Sequence, residues 1–145
     1  EMKNYQEALS SLKKAEPALG NFWEYNYIYA LSYYNLGMFA HAVTYAERSV
    51  NLNSSESLHY NLAGKIYLKL GDYIKAEKNF RKYLEIKKDV STETYIFLAE
   101  ACLNNSKTTE AMELFDRVLS ADPDNKLALD GKRNAVLIQN KKQGS

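Results

Sequence analysis

Cysteine, proline and glycine are all scarce in this sequence of 145 residues, which contains one Cys, two Pro and six Gly. A single Cys forms neither an internal disulfide nor a cysteine-rich zinc site, and it leaves the redox compartment undetermined. Few Pro and Gly mean few chain breakers. Hydrophobic residues make up 46% of the chain, which is enough for a soluble protein with a substantial core.

An excess of charge of one sign is also missing, because 19 Lys and Arg face 18 Asp and Glu. This balance argues against a nucleic-acid domain held by general electrostatic attraction. No apolar run approaches the roughly 20 residues that a membrane helix needs, and no signal peptide is visible. We therefore predict neither nucleic-acid binding nor membrane insertion, and the localisation stays open, with cytoplasm only as the default.

What the sequence does contain is an internal repeat. The pattern first appears as Tyr33, Leu36, Gly37, Phe39 and Ala42, and every one of these positions returns at the same offset as Tyr67, Leu70, Gly71, Tyr73 and Ala76. A degraded copy follows from Cys102 to Ala111, and Ala8 lies one full period before Ala42. A fixed period of this length indicates a repeat architecture.

Each repeat predicts two helices. Tyr60, Ala63, Gly64 and Tyr67 follow the i, i+3, i+4, i+7 spacing of an apolar helix stripe, and Gly71 then provides a helix end. Small residues recur where two helix axes must approach closely, as at Ala30, Gly64 and Ala99 in the first helices. The sequence therefore predicts an all-α protein.

These residues resemble the tetratricopeptide repeat (TPR), whose unit carries aromatic, Leu-Gly, Tyr, Ala, Phe and Pro landmarks at the same period. The resemblance implies a right-handed α-solenoid of antiparallel helix pairs, extending over residues 1–145 as a single repeat domain. The predicted segments are a half repeat at 4–16, repeats at 22–54, 57–88 and 92–123, and a capping helix at 125–140. Because the chain opens at Glu1 and with half a repeat, we expect it to be a fragment of a longer chain.

The resemblance also implies a concave groove lined by the first helices, and this groove is the predicted binding site for a peptide or helix of another protein. Removing the core positions leaves a second stripe in which about half of the residues are apolar. We expect apolar contacts from Tyr27, Leu31, Tyr34, Leu68, Ile96 and Leu103. Asn61 is predicted to hydrogen-bond the ligand backbone, and Lys65 and Glu100 to set its orientation.

Some grooves of this family hold the acidic tail of a heat-shock chaperone through a clamp of Lys, Arg and Asn. The corresponding positions here are Tyr27, Leu31, Leu62, Glu93 and Phe97. We therefore do not expect that ligand.

Catalytic and metal chemistry finds no support in the sequence, so we predict a non-catalytic protein without cofactor or metal. His41 and His59 lack carboxylates at metal-ligand spacing and are interpreted as surface residues. Cys102 falls on the buried stripe and is interpreted as an inert core thiol.

Three alternatives remain open. The fragment is a spacer or self-association module whose exposed repeat ends stack on a second copy, or it is the targeting arm of a larger enzyme. In addition, Lys75, Lys78 and Lys82 share one helix face that could contact phosphates or an acidic protein. Interleaved Glu77 and Glu85 favour a merely solvated face.

Overall fold

The computed structural model describes residues 2–87 and 91–143, and within these residues the chain forms eight helices and no strand. The helices are α1 (Met2–Leu19), α2 (Trp23–Asn35), α3 (Phe39–Leu52), α4 (Ser57–Leu70), α5 (Tyr73–Ile86), α6 (Thr92–Asn104), α7 (Thr108–Ala121) and α8 (Lys126–Gln143). The all-α prediction is confirmed. None of the described helices combines the length and the apolar character required to cross a membrane.

The turns inside the helix pairs use a left-handed residue. Gly37 and Gly71 adopt φ of 73° and 76° after α2 and α4, a conformation that costs glycine little because it has no Cβ. After α6 the same place is taken by Ser106, at φ 64°. The degraded third copy of the repeat therefore keeps the turn geometry without its glycine.

Two compact units divide the chain, one containing α1–α4 and the other α5–α8. The division between Asp72 and Tyr73 falls inside the predicted repeat at 57–88. The repeat boundaries stay a prediction, and the one at residue 88 lies outside the described residues.

Aromatic stacking and small residues build the core of the N-terminal unit. The rings of Tyr29 on α2 and Tyr45 on α3 stack with centroids 4.1 Å apart, while Ala30 and Ala42 are fully buried. The Tyr25 hydroxyl donates a hydrogen bond to the Leu12 carbonyl oxygen on α1 (3.0 Å). These contacts fix α2 against its neighbours α1 and α3.

In the C-terminal unit the core is built around phenylalanine. Phe80 on α5 is fully buried and its ring stacks on Phe97 of α6 with centroids 5.9 Å apart. Phe115 on α7 is 2% exposed and lies against Gly131 of α8, where a Cβ would lie 2.5 Å from Cε1 of the ring. Helix α8 therefore approaches α7 at a distance that only glycine allows.

Candidate functional site

Six of the nine predicted binding residues lie on two packed helices of the N-terminal unit, and we call their surface the α2/α4 face. Its members are Tyr27, Leu31 and Tyr34 on α2 and Asn61, Lys65 and Leu68 on α4. All six are half-buried, and α2 packs directly on α4. The face therefore presents aromatic and aliphatic side chains that are half-buried and held by the packing of α2 on α4.

Sequence reasoning missed Ile28, which extends this face. Ile28 is 47% exposed and lies one turn after Glu24 and one turn before Leu31 on α2. Leu58, at the start of α4, is 42% exposed. The spacing of three residues between Ile28 and Leu31 indicates that they share a face of α2. Helical spacing alone, however, does not distinguish an aliphatic binding residue from an aliphatic core residue.

Asn61 is the polar member of the face that lacks a hydrogen bond. Its side-chain Oδ1 is shielded from solvent and has no hydrogen-bond partner among the described residues. A shielded oxygen without a donor is unfavourable, and a ligand N–H reaches it only if neighbouring side chains move. The role of Asn61 in binding remains a prediction.

The interpretation of His59 as a surface residue was wrong. His59 is 1% exposed, with the edge of its ring packed against Trp23 at 4.9 Å and against Tyr27 at 6.0 Å between centroids. The helical position of His59 faces α3, and only the packed structure shows that this places the ring beneath Tyr27. His41, the other histidine, is exposed as predicted.

The hydrogen bonds of Ser49 decide the tautomer of His59. The Ser49 hydroxyl donates to the Trp23 carbonyl oxygen (2.9 Å), so it has no second proton to give to His59. His59 Nδ1, at 2.8 Å, must therefore donate to Ser49 Oγ. That leaves Nε2 as an unprotonated, buried nitrogen without a partner among the described residues.

Burial lowers the pKa of His59 below its ordinary value, and the opposing effect of the Glu56 and Glu24 carboxylates is smaller. The folded state therefore holds the neutral ring, whereas the unfolded chain takes up a proton as the pH falls through about 6.5. We expect the protein to lose unfolding free energy between pH 7 and pH 5 on this account, because only the unfolded state takes up the proton readily.

The measurement is urea denaturation at several pH values for the wild type, His59→Asn and the exposed control His41→Asn. The pH slope should flatten in His59→Asn and stay unchanged in His41→Asn. An unchanged slope in His59→Asn would contradict the assignment of a buried neutral ring.

The other three predicted binding residues lie on α6 in the C-terminal unit. Ile96 and Leu103 are half-buried and Glu100 is exposed. One turn after Glu100, the Asn104 amide donates to the Glu100 carbonyl oxygen at 2.9 Å. We refer to these three predicted residues as the α6 face.

A buried carboxylate network that sequence reasoning did not find joins α5 to α6 and α7. Glu77 is 6% exposed and accepts hydrogen bonds from Arg81 Nε (2.9 Å), Asn105 Nδ2 (2.9 Å) and Lys107 Nζ (2.6 Å). Arg81 also donates to Glu110 at 2.5 Å. The sequence shows Glu77 only as a charge interleaved with lysines, and no spacing rule reveals partners that lie in the next helix pair.

These donors dominate the ionisation of Glu77. Burial alone would raise the pKa of this carboxyl, but the hydrogen bonds from Lys107, Asn105 and Arg81 outweigh it and hold the pKa at about 2. Glu77 is therefore fully ionised at neutral pH, with its charge already compensated inside the unit.

Cys102 lies beside this network, and its predicted burial is confirmed at 0% exposure. Its sulfur and one oxygen each of Glu77 and Glu110 lie within 4.8 Å of one another. Burial raises the pKa of the thiol to about 11, so it stays protonated, while both carboxylates are occupied by the Arg81 guanidinium. The group is therefore better described as an ion network than as a ligand set for a cation.

Two family models described as tetratricopeptide repeat match residues 24–56 and 67–133, together more than half of the chain. No match is found among curated proteins.

Several solved structures share the fold. The Arabidopsis OM64 TPR domain is 21% identical, with 78% of this chain and 93% of that chain covered and a TM-score of 0.71. The first TPR of Spaghetti (RPAP3), bound to the HSP90 peptide SRMEEVD, is 17% identical, with 81% and 92% covered and a TM-score of 0.72. MamA MSR-1 C2 is 18% identical, with 98% and 81% covered and a TM-score of 0.87.

At these identities the structures establish the fold and nothing about ligands. The family models and the helix-pair architecture agree along most of the sequence. The chain belongs to the tetratricopeptide repeat family.

Proposed function

We propose that this protein is a non-catalytic interaction module that binds a peptide or helix of a partner protein. The observation that carries the proposal is the set of apolar and aromatic side chains on the first helices that stay partly exposed after the core of each unit has packed. Tyr27, Leu31 and Tyr34 are half-buried in this way, although Tyr25, Tyr29 and Ala30 already supply the core side of α2. Partly covered rings of this kind are the usual anchors of protein interfaces.

The partner-binding residues that we propose are those of the α2/α4 face and of the α6 face. On the first, Tyr27, Leu31, Tyr34 and Leu68 supply apolar contact, and Asn61 accepts a hydrogen bond from the ligand backbone. Lys65 selects a carboxylate. On the second, Ile96 and Leu103 supply apolar contact and Glu100 selects a basic side chain.

Structural neighbours support a peptide ligand in general, whereas the residues of this chain argue against the same kind of peptide. RPAP3 domains are described in complex with the HSP90 peptide SRMEEVD and the HSP70 peptide SGPTIEEVD. Both peptides are acidic, whereas the corresponding clamp positions of this chain include Leu62, which is 5% exposed, and Glu93, which would repel a carboxylate. We therefore propose a ligand held largely by apolar contact.

The test begins with affinity capture of a partner and identification of the bound segment, followed by titration of that segment against variants. Tyr34→Ala and Leu68→Ala should each weaken binding about tenfold, because each removes an anchor worth more than about 1 kcal/mol. Tyr34 also contacts the Phe39 ring, with centroids 5.6 Å apart, so thermal unfolding of each variant must be measured alongside.

Lys82→Ala is the matched control, since Lys82 is paired with Glu85 on α5 and belongs to neither face. Unchanged affinity in both Tyr34→Ala and Leu68→Ala, with Tm preserved, would place the binding site elsewhere.

A further inference from the structure

A surface crevice of about 720 Å³ opens in the C-terminal unit, and its lining includes none of the three residues of the α6 face. One wall is the outer side of α5 and the other is the turn between α6 and α7. Its lining includes Ile74, Glu77, Lys78, Arg81, Asn105 and Lys107. The volume is within the range of sites that hold small ligands or a few residues of a peptide.

The charge that this crevice presents is positive. Three cations line it, and the only carboxylate of the lining, Glu77, already accepts three hydrogen bonds and has a side chain that is 8% exposed. Lys78 is exposed and has neither an ion pair nor a hydrogen bond in the part of the chain that the structure describes. Lys107 is half exposed, and its bond to Glu77 uses one of its three protons.

Hydrogen bonds within the unit join the two walls of the crevice to each other. Asn105 Nδ2 donates to the Tyr73 carbonyl oxygen at the start of α5 (3.0 Å) and also to Glu77 Oε2 (2.9 Å). Lys107 reaches the same carboxylate from the turn. A lining held in this way loses little freedom on binding, which favours affinity.

An apolar side chain lies at the edge of this cationic crevice. Ile74 is 75% exposed, the highest value among the large hydrophobic residues that the structure describes. It precedes Lys78 by one helical turn, so the two side chains share one face of α5. A ligand that matched both would carry an apolar group next to a negative charge.

We propose that this crevice binds an acidic segment of a partner protein, whose carboxylates pair with Lys78 and Lys107 while an apolar side chain covers Ile74. A phosphate ligand would gain nothing from the N–H groups of Ser106 and Lys107 in the turn, because both are occupied. Ser106 N donates to the Leu103 carbonyl oxygen (3.1 Å) and Lys107 N to that of Cys102 (2.9 Å). This site is separate from the faces of the proposed function and does not depend on them.

The experiment is an NMR titration of the ¹⁵N-labelled full chain with the blocked pentapeptide Glu-Glu-Leu-Glu-Glu. Saturable shifts are expected at the Ile74, Lys78, Ser106 and Lys107 amides, and they should weaken as salt is added. Lys78→Ala should weaken binding by up to about fivefold, the effect of one exposed ion pair. Ile74→Ser should weaken it about tenfold through the lost apolar contact.

Lys82→Ala is the matched control, because it removes the same charge from the same helix outside the crevice. Equal effects of Lys78→Ala and Lys82→Ala, or shifts spread over the chain without saturation, would overturn the site. Stronger shifts at the same amides with inorganic phosphate than with the peptide would overturn the choice of ligand. Binding of the pentapeptide should be unchanged in Tyr34→Ala, which keeps this result independent of the α2/α4 face.

Discussion

Replacing Glu77 with Ala is expected to lower the free energy of unfolding by about 2 kcal/mol. The substitution leaves the Asn105 amide and the Arg81 guanidinium without their shared acceptor. Breaking a fully buried ion pair costs about 3–5 kcal/mol, and we reduce this figure because the Arg81 side chain is 44% exposed. Urea denaturation at pH 7 measures the loss.

The matched control is Glu85→Ala on the same helix. The Glu85 side chain is 69% exposed and pairs with the solvent-accessible Lys82 at 3.0 Å, so its loss should change stability by less than about 0.5 kcal/mol. An equal loss of unfolding free energy in the two variants would contradict the conclusion that the Glu77 network stabilises the fold.

Glu77 also predicts a distinctive acid sensitivity. Because its folded pKa is about 2 and its ordinary value is 4.5, the stability it contributes is complete above about pH 4.5 and disappears as the pH falls through 2. The wild type should therefore lose up to about 3 kcal/mol more than Glu77→Gln between pH 5 and pH 2. This window lies below that of His59, so the two effects separate along one pH series.

Gly131→Ala is expected to destabilise the protein by about 1 kcal/mol. A Cβ at this position would lie 2.5 Å from Cε1 of the Phe115 ring, which is buried and has little room to move. Overpacking of this kind costs about 1–3 kcal/mol, which exceeds the gain of about 1 kcal/mol that Ala brings to a helix. Chemical denaturation of the full chain provides the measurement.

Two further variants test whether the clash with the Phe115 ring causes that loss of stability. Asn134→Ala, on the exposed side of the same helix, should stabilise by a few tenths of a kcal/mol because only propensity changes. Phe115→Leu should partly rescue Gly131→Ala in a double-mutant cycle, since the smaller side chain removes the clash. Stabilisation by Gly131→Ala alone would show that α8 does not pack on α7 as described.

The repeat pattern was sufficient to predict the all-α fold and the positions of small residues at helix contacts. Small residues recur at a fixed spacing along the chain, and this recurrence predicts where helices come into close contact. Four of these residues are fully buried, namely Ala30, Ala42, Ala76 and Ala99. Periodicity reports which side of a helix faces the core. It does not report what lies on the other side of a contact.

That limit explains both the error at His59 and the omission of Glu77. The polarity of each side chain indicates solvent, yet each is buried by partners from other parts of the chain. These are Ser49 and Trp23 for His59, and Asn105 and Lys107 of the α6–α7 turn for Glu77. A polar group can be buried when such partners satisfy it. Their presence is a property of the packed structure.

The sequence by itself determined that this protein is built from helix pairs with small residues at their contacts, since a recurrence of this kind buries its apolar stripes only by stacking one pair on the next. Only the tertiary structure decided that His59 is a neutral ring beneath Tyr27 and that Cys102 borders an ion network. It also decided that a cationic crevice forms between α5 and the α6–α7 turn. The physical reason is that hydrogen bonds, ion pairs and crevices join residues far apart in the chain, whereas a repeat pattern constrains only neighbours along each helix.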